Sequence, residues 1–230
     1  MTIASTLQRL HTSFLNSAGT IVFGMEDGTV SIFGLIFGVA ATTTSAKTVL
    51  IAGASGAVAA AVSMMAGAYL DVETTRDEIK ANQALMQADA ASASASLPAR
   101  LAKAGLTPQQ SSALAAAVQH DRQALGGLVV ALQGAPDAPT SPWEQALWML
   151  FADFLAAAVP ILPFVFVPIA PARIISGVVT TALLVALGVG RARIAKRGIA
   201  RTVMETVSIG MTAALAGVVI GLWIDHGFNG

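Results

Sequence analysis

GMEDGTVSIFGLIFGVAA, residues 24–41, sets an acidic pair, Glu26 and Asp27, at the head of an apolar run. The whole chain has 55% hydrophobic and 11% charged residues over 230 positions, with a mean hydropathy of +0.70. That is too apolar and too charge-poor for an ordinary soluble domain, and it reads as a polytopic membrane protein. Extended from Ser17 to Thr43, the quoted stretch would make a helix about 40 Å long, enough to cross a hydrocarbon core of roughly 30 Å. Asp27 would then sit about 15 Å in from the start of the span. A carboxylate in hydrocarbon costs roughly 2.5–3.5 kcal/mol on insertion scales unless it is protonated, paired or facing a wet cavity, so the pair is a candidate ion pathway. At 3.6 residues per turn Asp27, Ser31, Gly34 and Gly38 share a face, and Gly34 with Gly38 forms a GxxxG pair suited to close helix approach.

Working outward, residues 1–16 read as a short amphipathic helix at the membrane interface, with Leu7, Leu10 and Phe14 at helical spacing. Span 2 runs from about Thr48 to Leu70, and residues 17–71 form the first helical hairpin. Gly53, Gly56, Ala57, Ala60 and Gly67 give span 2 a small-residue surface for packing on span 1, and the hairpin puts Met64 and Met65 near the depth of Asp27. Residues 72–142 form a polar insert, rich in alanine, serine and glutamine. Its Ala90–Ser96 tract is low-complexity and predicts a flexible joint, and Leu97–Ala104 and Thr107–Leu132 have helical periodicity, with Pro98 and Pro108 near helix starts. Residues 143–230 hold spans 3 to 5: about Trp143–Leu162 carrying Asp153, about Ala172–Gly190, and about Thr202–Trp223 with Glu205 near its start. The expected fold is an all-α integral membrane protein of five transmembrane helices, with a small cytoplasmic helical insert between helices 2 and 3.

Of the 13 lysines and arginines, eleven fall on the side of the N-terminus, the insert and the loop between spans 4 and 5; only Lys47 and Arg173 fall on the other. The positive-inside rule therefore places the N-terminus and the insert in the cytoplasm. Glu26, Asp27, Asp153 and Glu205 then lie toward the cytoplasmic half of their spans. No lysine or arginine is expected at matching depth, which leaves a bound cation or a proton to compensate them. Oxygen ligands suit magnesium, calcium or manganese, and a thioether shifts preference toward softer transition metals, so Asp27 with Met64 and Met65 favours iron(II) or manganese(II). Methionine as packing filler is the alternative. Glu205 can equally reach interfacial water. Glu73 and Asp77 are an i,i+4 pair that could ligate metal at the cytoplasmic mouth, with a solvated helix balanced by Arg76 and Lys80 as the competing description. His120-Asp121 reads as exposed surface. The chain has no cysteine, which excludes disulfides and thiolate sites. No nucleophile–base–orienter trio or phosphate loop is present, so neither an enzyme nor a resident cofactor is expected, and the net charge of +0 points to no nucleic-acid partner.

The stretches MEDGTVSIFGLIFGVA (25–40), AGASGAVAAAVSMMAGAYLDVETTRDE (52–78), SPWEQALWMLFADFLAAAVPILPF (141–164) and ETVSIGMTAALAGVVIGLW (205–223) together resemble the vacuolar iron transporter (VIT) family. The resemblance implies a homodimer of five-span subunits that moves iron(II), and often manganese(II), out of the cytosol in exchange for protons. Asp27 falls on the family's first-span aspartate and Met64 on its second-span methionine, both associated with the ion route. Two departures stand out. Ala68, in Gly67-Ala68-Tyr69, replaces the glutamate of the family's Gly-Glu-Tyr, and Glu26 replaces the commoner asparagine. The insert also lacks the glutamates and methionines with which many members collect metal; between Lys80 and Asp137 the only acidic residues are Asp89 and Asp121. The resulting expectation is an exporter of Fe2+ or Mn2+ in the lipid bilayer of a bacterial inner membrane. Asp27 and Met64 would bind the ion, Glu26 would assist or exchange protons, and Asp153 and Glu205 would line the cytoplasmic entrance. The alternative is a non-transporting scaffold or metal sensor that keeps the fold.

Overall fold

The computed structural model describes residues 3–88, 90–119, 121–132 and 141–229. Asp89, His120, Pro136 and Pro139 lie outside the described residues, as do the side chains of Leu7, Arg9 and Leu10. The helices run in the order α1 (Ile3–Asn16), α2 (Ala18–Thr42), α3 (Ala46–Ala88), α4 (Ala90–Lys103), α5 (Pro108–Val118), α6 (Arg122–Leu132), α7 (Pro142–Ile161), α8 (Pro163–Phe166), α9 (Ile169–Ile194) and α10 (Ile199–Asn229). Five of them, α2, α3, α7, α9 and α10, are long and apolar enough to cross a membrane, so the protein is an all-helical integral membrane protein. The chain divides into two compact units, residues 1–69 with 140–230, and residues 70–139.

In the first unit α2 is the central helix, because glycines on two of its faces admit other backbones. Toward one side, a Cβ at Gly24 would lie 2.6 Å from Met149 Sδ, and one at Gly28 would run into the Asp153 carbonyl of α7. Toward another, a Cβ at Gly34 would sit 2.9 Å from the Ala213 carbonyl oxygen, and one at Gly38 2.7 Å from that of Gly217, on α10. Gly217 and Gly221 return the contact against Gly34 and Gly38, so two GxxxG pairs interlock backbone to backbone. The reading of Gly34 and Gly38 as contact positions therefore holds, with α10 as the partner. Span 2 was expected to pack tightly on span 1. Instead α3 meets α2 through side chains: Ile36 lies beside Gly53, and Leu35 and Ile32 beside Gly56. Bulky residues on the α2 side keep those two backbones apart. Ser31, expected on the buried face with Asp27, is exposed.

The ends of the spans follow from local chemistry. α9 extends beyond the predicted Gly190 to Ile194, with Arg191 and Arg193 in its last turn, where cations suit the negative end of the helix dipole. Lys196 then takes a left-handed φ of 51°, and Arg197 N–H donates to the Ala192 carbonyl at 2.9 Å, closing the helix. At the opposite end of the bundle Arg173 donates to the Ala40 and Thr43 carbonyls and satisfies the C-terminus of α2. Between α7 and α9 the prolines at 160, 163 and 168 break the chain into the short α8, and Ser176 donates to the Pro160 carbonyl at 2.8 Å. Trp148 holds α1: its indole donates to Ser13 Oγ at 2.9 Å and its ring meets Phe14 edge-on. Trp143 packs on Tyr69 and remains exposed, as does Trp223.

The second unit is helical throughout its described core. Leu97, Leu101, Leu125 and Val129 are buried together, with Leu106, Leu114 and Val118 packed against them. The expected flexible joint at Ala90–Ser96 is corrected: the tract begins α4, and Pro98 lies inside that helix instead of at its start. Alanine is the strongest helix former, so low complexity here marks a helix. The single helix expected from Thr107 to Leu132 is two, each with its own start. Thr107 and Gln110 form a capping box for α5, and Asp121 accepts from the amides of Gln123 and Ala124 to open α6.

The glycine interlock predicts that Gly217→Ala destabilises the bundle by about 1–3 kcal/mol, the range for overpacking. A lowered melting temperature in detergent should report it. Gly190→Ala, which has nothing within 4 Å of the added methyl group, should melt like the wild type.

Candidate functional site

The acidic pair lies in the middle third of α2, and both of its carboxylates border one cavity of about 350 Å³. The cavity opens between α2, the last turn of α9 and the start of the membrane stretch of α10. Its walls are apolar, with Val22, Val30, Ile194 and Ile209, and its polar groups are Glu26, Asp27, Arg191 and Thr206. Adjacent residues on a helix point about 100° apart. The cavity is broad enough to span that angle.

Glu26 is compensated by protein groups. Arg191 Nη1 lies 3.5 Å from Glu26 Oε2, with the glutamate side chain 14% exposed and the arginine 37%. Thr206 Oγ1 donates to Glu26 Oε1 at 3.1 Å. The expectation that no arginine reaches the depth of these acids is therefore corrected. It failed because α9 continues one turn past Gly190, and that turn carries Arg191 back over α2. Asp27 makes no hydrogen bond or ion pair among the described residues, and it is half-buried beside the same space.

Asp153 stands behind this site. It is fully buried and packs on Gly28, with Oδ1 3.0 Å from where a Cβ would be. Neither of its carboxylate oxygens has a hydrogen-bond partner among the described residues. It is not among the residues that line the cavity. Asp153 thus lies on the face of Gly28, the residue next to Asp27, one carboxylate bordering the cavity and the other sealed. Glu205 takes no part in the cavity: Arg197 at 3.4 Å and Arg201 at 3.1 Å hold it on the outer surface of α10.

Met64 and Met65 are half-buried on α3 and do not line the cavity. Glu73 and Asp77 belong to the other unit; Glu73 is exposed, and Asp77 pairs with Lys80 at 3.2 Å on an exposed helix face. Among the described residues no three histidine, cysteine, aspartate or glutamate side chains gather into a metal-sized group. The structure therefore joins Glu26 with Asp27, sets Asp153 next to them at Gly28, and leaves Glu205, Met64 and Met65 outside the cavity lining. Sequence reasoning missed Arg191 and Thr206. The signal for Arg191 was a basic residue within one turn of an apolar span end; for Thr206 there was none beyond its place next to Glu205.

Taken together, these features define a polytopic helical membrane protein with an acidic cavity opening into its bundle. The chain belongs to the VIT family, whose model matches residues 18–222. It is 28% identical over 233 residues to vacuolar iron transporter 1 of Arabidopsis thaliana, covering 96% of this chain and 93% of that protein. It is 26% identical over 204 residues to vacuolar iron transporter 1 of Eucalyptus grandis, with 85% and 82% covered. With the vacuolar iron transporter of Centaurea cyanus it shares 25% identity over 167 residues, 70% and 68% of the two chains.

A cavity that admits water predicts a labelling pattern, and the absence of native cysteine makes single cysteines easy to read. Val22→Cys and Ile209→Cys should react with a hydrophilic thiol reagent several times faster than Ala157→Cys, which is fully buried in α7. Equal rates at the three positions would show that the cavity is dry.

Proposed function

We propose that the protein is a divalent-metal transporter that moves Fe2+, and also Mn2+, out of the cytosol, with Asp27 and Glu26 as its ion-binding carboxylates. The observation that carries the reading is the cavity that brings both carboxylates to one opening inside the membrane-spanning bundle of a VIT-family chain. The names of its plant relatives support iron as the substrate. Two carboxylates with water completing the shell are hard oxygen donors, which suits Mn2+ and Fe2+ alike. Asp27, which has no protein partner among the described residues, is the primary ligand in this reading. Met64 contributes only if a second copy of the chain or a movement of α3 brings its thioether to the ion.

The finer points belong to the same proposal. Proton exchange is supported by Asp153, a fully buried carboxylate with no hydrogen-bond partner among the described residues. A homodimer is supported by the outer face of α3, where Ala54, Ser55, Ala59, Ser63, Ala66 and Gly67 are exposed and small enough for close helix contact. The excess of lysine and arginine supports a cytoplasmic N-terminus and insert, and the proposed membrane is a bacterial inner membrane. The described residues of the insert form no acidic metal-collecting cluster, so in this reading capture falls to the cavity itself.

Flux of Fe2+ or Mn2+ into liposomes containing the purified protein tests the proposal. Asp27→Ala should reduce uptake to the level of protein-free liposomes, while Glu205→Ala should retain most of it. Equal flux in wild type and Asp27→Ala would sink the assignment and favour a scaffold that has kept the fold without transport.

A further inference from the structure

Glu26 enters the cavity already engaged on both oxygens, by Arg191 from α9 and Thr206 from α10. Its neighbour Asp27 faces the same space without a partner among the described residues. Of the basic residues in this region, Arg197 and Arg201 are occupied with Glu205 on the outer surface, and Arg191 is the cation that lines the cavity. We propose that Arg191 is a tethered counter-ion which an incoming divalent cation displaces from Glu26, so that this arginine sets the affinity and charge selectivity of the site. The inference rests on the transport reading above and deepens it.

The electrostatics favour an exchange. With Arg191 in place the two carboxylates and the guanidinium leave the cavity a single negative charge; with the arginine swung out, two negative charges balance a divalent ion. A monovalent cation offers Glu26 no more charge than the guanidinium it would replace, so it has no advantage in displacing it. When the metal leaves, Arg191 returns, and Glu26 is never left bare in an apolar bundle, where an unpaired carboxylate is costly. The arginine thereby also helps release, since a conducted ion must be held weakly enough to go on. The side chain has the freedom to move: it is 37% exposed and projects from the last turn of α9, with the left-handed turn at Lys196 just beyond.

The test uses Mn2+ with the full-length protein, measuring uptake in liposomes and binding by calorimetry in detergent. Arg191→Gln should lower the half-saturating Mn2+ concentration about fivefold, the factor expected from loss of a half-exposed ion pair as competitor, and should lower the maximal rate. Arg191→Lys, which keeps the charge, should remain close to wild type. In a Glu26→Gln background the effect of removing Arg191 should shrink. A merely structural role for Arg191 would weaken Mn2+ binding, not tighten it. Wild-type uptake with unchanged or weaker Mn2+ binding in Arg191→Gln, or the same ratio in both backgrounds, would overturn the inference alone; absence of Mn2+ and Fe2+ uptake by the wild type would overturn the transport reading beneath it. If Arg191→Gln does not insert, Arg191→Met replaces it with the same expected sign.

Discussion

The backbone contact between α2 and its two neighbours is the constraint on which the site depends. Gly24 and Gly28 let α7 approach on one side, while Gly34 and Gly38 take α10 on the other through Gly217 and Gly221. In a bilayer apolar side chains gain little by leaving lipid for protein, so close packing and the dispersion it provides must hold such helices together. Glycine supplies that closeness, and it positions the acids as a by-product. Thr29, fully buried, donates to the Met25 carbonyl at 2.7 Å and adds a second tie to the helix segment that presents Glu26 and Asp27.

Around this frame three carboxylates are treated in three ways. Glu26 is neutralised by an arginine and a threonine from two other helices. Asp27 is left to the cavity, and Asp153 is sealed behind Gly28 with no partner among the described residues. A buried polar group without a partner is costly and tends to mark function or a missing ligand. In the proposed reading, the gradation from compensated to uncompensated acid across α2 and α7 gives the site both a resting charge balance and a place for a cation. A membrane-spanning bundle whose acids were all paired would have no such place.

The arrangement also separates roles along the chain. The insert builds its own core from Leu97, Leu101, Leu125 and Val129 and contributes no acidic cluster among its described residues. Glu205, one residue from Thr206, points away from the cavity and is spent on Arg197 and Arg201. Adjacent positions on one helix thus serve the cavity and the outer surface respectively, as the 100° step of an α-helix requires.

Apolar run length and helical periodicity are local properties, and they were enough to show five spans, a helical insert and an acidic pair inside the first span. The same information misjudged Ala90–Ser96, where composition resembled a linker but alanine propensity makes a helix. It also ended α9 at Gly190, because charge was taken to mark the end of the span and the dipole-favoured last turn was not counted. Which helix would meet Gly34 and Gly38, that Arg191 would return over Glu26, and that Met64 would not line the cavity were decided only by tertiary structure. A small-residue face is equally ready for any other small-residue face, and a side chain just past the expected end of one helix meets its partner only when the packing of the helices sets the distance between them. The sequence determines which helices can form and where charge must be answered; packing determines which residue answers it.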